Sequence, residues 1–213
     1  KGDILSLSKA SSSIGIAYTY NEPTVNYEFM YDTMRMVRDE DNLNVMVTNG
    51  FINREPLLKL LPYVDGINID LKSYSENFYK QLCNGSLEPV KNTIRLSSLY
   101  THVEVTTLVI DGKNSSDEEM EEISSFIAGI NPDIPLHLSR YYPQYKMSDP
   151  ATELDTLIRL RNIASKNLNH VYVGNVWGVF NDTICPNCKS TLIKRQLSTE
   201  VVGIEDGRCT NCG

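Results

Sequence analysis

The sequence lacks the features that mark several large classes of protein. No uninterrupted apolar run reaches the roughly 18 residues that a membrane-spanning helix requires, so we expect no membrane partner. Lysine and arginine total 20 against 27 aspartates and glutamates, and the formal charge of -7 disfavours a protein that holds nucleic acid on a basic face. Gly-rich phosphate loops and the G-x-S-x-G elbow of hydrolases are also absent.

The composition is instead that of an ordinary globular protein. Of the 213 residues, 41% are hydrophobic and 22% are charged, which is too apolar for intrinsic disorder. This length predicts one main domain with a small appendage. The pattern changes near Asn181, where amphipathic segments stop and paired cysteines begin. We therefore predict a main domain over residues 1–180 and a tail over residues 181–213.

Short apolar runs rich in Val, Ile, Thr and Tyr alternate with amphipathic segments along the main domain. Such runs are typical of parallel strands buried on both faces, joined by helices in right-handed βαβ units. A closed barrel of this type needs eight strands, so the predicted fold class is α/β, as an incomplete (β/α) barrel or an open parallel sheet. The six predicted strands cover residues 14–19, 44–48, 66–71, 103–110, 134–139 and 171–175.

Three of the amphipathic segments show clear helical patterns. One begins at Ser115 or Ser116, each followed three positions later by Glu, as in a capping box. Another covers about residues 151–166 and turns Leu154 and Leu157 inward. The predicted buried face of the first helix consists of Phe29, Thr33, Met36 and Val37.

Polar residues stand at the carboxyl ends of the predicted strands, where parallel α/β folds place their sites. Side chains of both charge signs at one edge suit a zwitterionic ligand with several functional groups. The alternative is that the Asn-Gly and Asn-Glu-Pro segments are turns and that Asp70 and Lys72 form a surface ion pair. The polar residues at these ends are Asn21, Glu22, Asn49, Asp70, Lys72, Arg140 and Asn175.

The histidines and one cysteine have simpler interpretations. His102 and His170 stand near strand starts, where a structural role is expected, and His137 within a strand is expected to be a core residue more than a functional one. Cys83 lies in a helical stretch and is predicted to be a buried, inert thiol.

Four cysteines form two Cys-x-x-Cys pairs, separated by twenty residues, at the end of the chain. Each pair directs two thiolates at one cation, and two pairs complete a tetrahedral shell of four sulfur atoms. Zinc is the expected metal and iron the second choice. The role is structural because four thiolates leave no open position, and residues 191–195 and 200–204 are predicted to form a zinc-ribbon hairpin. The ligands are Cys185, Cys188, Cys209 and Cys212.

Several motifs occur together in an order that is similar to one family. They are IAYTYNEP at 16–23, VTNGF at 47–51, NIDLK at 68–72, VEVTTL at 103–108, HLSR at 137–140, YKM at 145–147 and YVGN at 172–175. Together with the cysteine tail they closely resemble the radical S-adenosylmethionine (SAM) enzyme of the AmmeMemoRadiSam system, a relative of pyruvate formate-lyase activating enzymes. The resemblance implies an enzyme with a partial (β/α) barrel that holds a [4Fe–4S] cluster and SAM. The paired cysteines, in an acidic sequence without a secretory signal, indicate a reducing cytoplasm.

The resemblance also implies a reaction and partners. In such enzymes reductive cleavage of SAM gives methionine and a 5′-deoxyadenosyl radical, which abstracts hydrogen from a substrate. The substrate is unknown, either a small molecule or a protein, for example at a glycine. An electron donor is required, and a Memo-like protein is a further expected partner.

The family motifs assign roles to the polar strand ends. Asn21 and Glu22 match the motif whose polar atoms hold the SAM amino group. Asn49, and Asp70 with Lys72, match positions that contact the methionyl or ribose part of SAM. Two further residues, Arg140 and Tyr142, are the candidates for a catalytic role: Arg140 would reach the SAM carboxylate or the substrate, and Tyr142 stands where relatives often carry His before Pro.

One family feature is missing. Radical SAM enzymes bind their cluster through a Cys-x-x-x-Cys-x-x-Cys motif after the first barrel strand, and this sequence contains none. We therefore expect that the first strand and the cluster loop lie outside the chain, and that the chain alone is inactive. Two alternatives remain: a non-catalytic module that binds SAM or a protein, and an aldolase or lyase in which Lys72 forms a Schiff base.

Overall fold

The computed structural model describes residues 4, 6–8, 11–179, 181–196 and 198–213. The chain forms two compact units, residues 1–107 and residues 108–213. The predicted boundary after residue 180 is a different division of the chain, and it stays a prediction.

All six predicted strands are present. They are β1 (Gly15–Tyr18), β2 (Leu43–Thr48), β3 (Gly66–Asp70), β4 (His102–Val109), β5 (Leu136–Arg140) and β6 (Val171–Gly174). They form a six-stranded sheet in chain order. The pairing is parallel for β1 with β2, β2 with β3, β3 with β4, and β5 with β6. The predicted class, a parallel α/β sheet of the partial-barrel type, is confirmed.

Helices connect these strands. The longer ones are α1 (Tyr27–Arg38), α2 (Arg54–Leu60), α3 (Leu87–Ser97), α4 (Asp117–Ala128) and α5 (Leu154–Ala164). Shorter helical segments are Pro23–Asn26, Leu61–Tyr63, Glu76–Phe78 and Tyr79–Cys83. The predicted cap of α4 is confirmed at Ser116, whose hydroxyl accepts a hydrogen bond from the Glu119 backbone N–H at 3.1 Å.

The prediction that the strands are buried on both faces was wrong for β2. Its side chains alternate strictly between buried and exposed positions. Met46 is fully buried, whereas Val45 and Val47 are each 37% exposed. The helix α1 packs against β2, so the buried face is the one that this helix covers.

Two of the predicted helix faces were also displaced. In α1 the buried residues are Met30, Thr33, Met34 and Val37. Phe29 is 46% exposed, because the helix is turned so that its neighbour Met30 enters the core. In α5 Leu157 and Leu160 are fully buried, whereas Leu154 is 37% exposed at the first position of the helix.

The end of the chain forms a small module of short strands. The strands β7 (Thr183–Ile184), β8 (Thr191–Arg195) and β9 (Thr199–Val201) form one antiparallel sheet, and β10 (Ile204–Glu205) pairs with β11 (Arg208–Cys209). The predicted hairpin is confirmed by the pairing of β8 with β9. Within the described part of the chain, no helix combines the length and apolar character needed to cross a membrane.

Candidate functional site

Glu22 connects the carboxyl ends of the first two strands. Its Oε1 accepts hydrogen bonds from the Thr48 hydroxyl at 2.7 Å and from the Thr24 backbone N–H and hydroxyl at 3.2 and 2.9 Å. Its Oε2 accepts from the Asn49 backbone N–H at 2.7 Å. Thr24 follows β1 and Thr48 ends β2, so one carboxylate holds both strand ends together. Asn21, one residue before it, is exposed.

The turn that follows β2 is held by further local hydrogen bonds. Asn49 Oδ1 accepts from the Phe51 backbone N–H at 2.8 Å, and Thr48 Oγ1 accepts from the Gly50 N–H at 3.2 Å. From α3, the Thr93 hydroxyl donates to the Gly50 carbonyl at 2.7 Å. These contacts hold the turn to β1 on one side and to a helix on the other.

Gly50 should tolerate no larger residue in this turn. Its φ is +72°, and an added Cβ would lie 2.7 Å from Ile69 Cγ2 and 3.1 Å from Val90 Cγ1. We predict that Gly50→Ala lowers the free energy of unfolding by about 2–4 kcal/mol, measured by urea denaturation. Gly112→Ala is the matched control, since its φ is +73° but its Cβ would meet nothing within 4 Å. Equal losses in the two variants would contradict the crowding argument.

Asp70 and Lys72 form an ion pair at the carboxyl end of β3. The Lys72 Nζ lies 2.8 Å from Asp70 Oδ2, and the two side chains are 35% and 32% exposed. The register pairs Thr48 with Ile69, so Asp70 continues the sheet beside the turn at Asn49. The surface ion pair weighed as an alternative is therefore present, and it lies at the strand edge where a ligand site was predicted.

The segment behind this ion pair is well ordered by hydrogen bonds. The Lys72 backbone N–H donates to the Tyr79 hydroxyl at 3.1 Å, and the Thr107 hydroxyl donates to the Leu71 carbonyl at 2.8 Å. Burial raises the pKa of Tyr79 above its ordinary value. Cys83 is half-buried rather than buried, and burial raises the pKa of its thiol. The protonated form is favoured at this thiol, as the prediction of an inert residue requires.

In the second unit, Arg140 ends β5 in a fixed position. Its Nε donates to the Thr152 carbonyl at 2.7 Å, and its Nη1 donates to the Tyr142 hydroxyl at 3.2 Å. The guanidinium carbon lies 5.0 Å from the centre of the Tyr142 ring. After β6, the Asn175 side-chain amide donates to the Arg140 carbonyl at 2.9 Å. The ends of β5 and β6 are thus joined, as the ends of β1 and β2 are in the first unit.

The three histidines stay outside these clusters. His102 is the first residue of β4 and lies 3.3 Å from Glu104, and His170 directly precedes β6, in agreement with their predicted positions at strand starts. His137 within β5 is half-buried and its ring lies 5.5 Å from that of Tyr172.

The four tail cysteines converge on one point. Their Sγ atoms all lie within 4.8 Å of one another. The Sγ atoms of Cys185 and Cys212 are 3.7 Å apart, and those of Cys188 and Cys209 are 3.6 Å apart. Zinc bound tetrahedrally at about 2.3 Å from each sulfur would place neighbouring sulfur atoms about 3.8 Å apart. The cluster therefore has the dimensions of a mononuclear tetrahedral metal site.

Hydrogen bonds favour the thiolate at Cys185 and Cys188 but not at Cys212. The hydrogen bond from Asn187 lowers the pKa of Cys212, but the Cys188 and Cys185 thiols beside it outweigh that bond and raise this pKa to about 12. The Ser190 hydroxyl and the Asn211 amide lower the pKa of Cys188 to about 5. Hydrogen bonds from the backbone N–H groups of Cys188 and Asn187 lower the pKa of Cys185. Since a metal ion binds the thiolate form, these donors support ligation at Cys185 and Cys188.

Sequence reasoning missed the threonines of the site. Thr24 and Thr48 supply three of the four hydrogen bonds to the Glu22 carboxylate, and Thr152 supplies the carbonyl that holds Arg140. Thr48 could have been identified from its position, because it is the last residue of β2 and directly precedes an Asn-Gly turn.

The first 127 residues decide the family. A family model described as the radical SAM superfamily matches residues 4–127. This range includes β1 to β4, the turn held by Glu22, and the ion pair of Asp70 with Lys72. The chain belongs to the radical SAM superfamily. SAM and a [4Fe–4S] cluster are the groups that this membership implies.

Known proteins extend this assignment. The radical SAM chain is 44% identical over 207 residues to an uncharacterized protein of Methanocaldococcus jannaschii, covering 93% of this chain and 61% of that protein. A second protein of the same organism, whose name proposes that it activates a glycyl-radical enzyme, is 29% identical over 156 residues, with 70% and 59% of the two chains covered. The chain thus spans about three fifths of the length of these two relatives.

A solved structure supports the fold. A domain of the pyruvate-formate lyase-activating enzyme from Bacteroides vulgatus superimposes with a TM-score of 0.66 at 19% identity, over 76% of this chain and 99% of that domain. At this identity the likeness concerns the fold alone.

The catalytic [4Fe–4S] cluster does not fit the cysteines of this chain. No Cys-x-x-x-Cys-x-x-Cys motif occurs in the sequence. The tail cysteines are too close together, because each thiolate of a four-iron cluster binds a different iron atom, whereas these sulfur atoms surround one point.

Proposed function

We propose that this chain supplies the SAM site of a radical SAM enzyme of the AmmeMemoRadiSam type. In the proposed reaction SAM accepts one electron and its carbon–sulfur bond breaks to give methionine and a 5′-deoxyadenosyl radical. The radical then takes a hydrogen atom from the substrate, which gives 5′-deoxyadenosine and a substrate radical. The observation that carries the proposal is the set of polar groups at the ends of β1, β2 and β3 in a chain of this superfamily.

The chemistry of SAM matches these groups. SAM presents an ammonium, a carboxylate and a ribose diol, which require acceptors, a cation and amide groups. Asp70 offers a carboxylate acceptor, Lys72 a cation, and Asn21 and Asn49 offer amides. The assignment of Arg140, with Tyr142 against it, to the SAM carboxylate or the substrate stays a prediction.

We propose a polypeptide as the substrate. The names of relatives describe activation of a glycyl-radical enzyme and of 4-hydroxyphenylacetate decarboxylase, so hydrogen abstraction from a protein glycine is the corresponding proposal here. The enzyme would also need a one-electron donor, and a Memo-like protein is the proposed partner. A reducing compartment such as the cytoplasm would keep the tail cysteines available for zinc.

The test is an assay for SAM cleavage. Anaerobic protein produced from the complete gene, with its iron–sulfur cluster and dithionite as reductant, should convert SAM to equal amounts of 5′-deoxyadenosine and methionine. The 213-residue chain alone should produce neither, since it lacks the cluster motif.

A non-catalytic module that binds SAM or a protein is the second candidate, and the missing cluster motif favours it. It predicts SAM binding without cleavage even by protein that contains an intact cluster. That result would overturn the proposed enzymatic function and leave the SAM site standing.

A further inference from the structure

We propose that Glu22 is a positioning residue that acts through Thr48 and Asn49, and that Asn49 presents the NH₂ group of its side chain to the ligand. This inference rests on the proposed SAM site and deepens it. It assigns the Glu22 carboxylate to the protein rather than to the SAM ammonium, and it assigns Asn49 to an oxygen atom of the ligand.

The Glu22 carboxylate is largely occupied by the protein itself. An ionised carboxylate has about four acceptor positions, and this one accepts four hydrogen bonds from the protein. Two of them, from the Thr48 hydroxyl and the Asn49 N–H, are as short as 2.7 Å. The carboxylate therefore holds the turn: Oε1 accepts three of the four hydrogen bonds and has no acceptor position left, whereas Oε2 accepts one and keeps a single position.

The orientation of the Asn49 side chain is fixed by a backbone donor of its own turn. Its Oδ1 accepts from the Phe51 backbone N–H at 2.8 Å. That donor cannot bond to an NH₂ group, so the amide cannot be flipped without losing the contact. Within the described residues no protein acceptor forms a hydrogen bond with the Asn49 Nδ2, and the side chain is partly exposed.

Glu22 and the Asn49 side chain are connected through the turn. The Glu22 carboxylate holds Asn49 by its backbone N–H, and it holds Thr48, whose hydroxyl also accepts from the Gly50 N–H at 3.2 Å. Both contacts act on the three residues that set the direction of the Asn49 side chain. The two N–H donors of Asn49 match a carboxylate or ribose hydroxyl oxygen of SAM, and they would repel its ammonium.

Variants of Thr48 test the connection through SAM affinity. Thr48→Val removes the hydroxyl at constant shape and should weaken SAM binding about tenfold in calorimetry, whereas Thr48→Ser should restore affinity to within about twofold. Thr33→Val is the matched control, because it removes a buried hydroxyl whose hydrogen bond, to the Phe29 carbonyl at 2.7 Å, lies within α1 and does not involve Glu22 or the Asn49 turn. It should leave affinity within about twofold of the wild type. Equal affinity of Thr48→Val and the wild type would overturn the inference.

A second readout does not depend on SAM. The backbone N–H of Asn49 donates a short hydrogen bond to the Glu22 carboxylate, so its proton resonance should lie downfield. In protein labelled at asparagine, Glu22→Gln should move this backbone resonance upfield. An unchanged Asn49 resonance in Glu22→Gln would overturn the positioning role. If the wild type binds no SAM, the proposed function fails, while the Asn49 resonance still decides whether Glu22 holds the turn.

Discussion

Purified protein should contain about one zinc ion per chain, and removal of that ion should unfold the tail. The four cysteines converge, with Sγ–Sγ distances of 3.7 Å between Cys185 and Cys212 and 3.6 Å between Cys188 and Cys209. Structural zinc contributes roughly 10 kcal/mol to the folding of small modules, so we expect the fold of the tail to depend on the ion. Elemental analysis gives the stoichiometry. Hydrogen exchange before and after chelation should show loss of protection across β8, β9 and β11.

Single cysteine variants separate zinc from other causes. Cys209→Ser should lower the zinc content to well below one ion per chain and lower protection of the tail amides. Cys83→Ser is the matched control, since Cys83 lies far from the cluster in sequence and belongs to the first unit. A tail that keeps its protection without any metal would contradict the zinc assignment, and one iron per chain would replace zinc by iron.

The variants Asp70→Asn and Lys72→Met should each lower SAM affinity by about ten- to a hundredfold. Hydrogen bonds to charged groups contribute roughly 1.5–3 kcal/mol. Both side chains are partly exposed at the end of β3, so a ligand can reach them. Calorimetric titration of SAM into each variant measures the change.

The exposed ion pair between Arg95 and Glu88, at 3.0 Å, provides the control for this pair of variants. Arg95→Met breaks it on the outer surface of α3 and should leave SAM affinity unchanged. If all three variants bound SAM as the wild type does, Asp70 and Lys72 would be a surface ion pair with no ligand.

The positions of the strands could be predicted because each strand of a parallel sheet is a local apolar run. The pattern for residues 44–48 or 171–175 needs no knowledge of distant residues, and the structure places β2 and β6 there within one residue. The cysteine cluster is similar, since each Cys-x-x-Cys pair converges through its own turn.

Which face of an element is buried depends on what packs against it. Phe29 and Met30 are equally apolar neighbours, and only the orientation of α1 on the sheet decides that Met30 enters the core. In β2, Val45 and Met46 are likewise adjacent and apolar, and the one on the face covered by α1 is buried.

The contacts that build the site were beyond prediction because they join distant parts of the chain. Glu22 bonds Thr48 and Asn49 across 26 and 27 positions, and the sequence motif alone assigned its carboxylate to SAM. Arg140 was expected to face a ligand, but two of its nitrogen atoms already donate to Thr152 and Tyr142.

Calorimetric titration of SAM into the 213-residue chain tests the ligand site most directly. One SAM should bind per chain, and methionine or adenosine alone should bind more weakly, because each carries only part of the ammonium, carboxylate and ribose groups that the strand ends would contact. A folded chain that binds no SAM, or that binds adenosine equally well, would contradict a SAM site built from Asn49, Asp70 and Lys72.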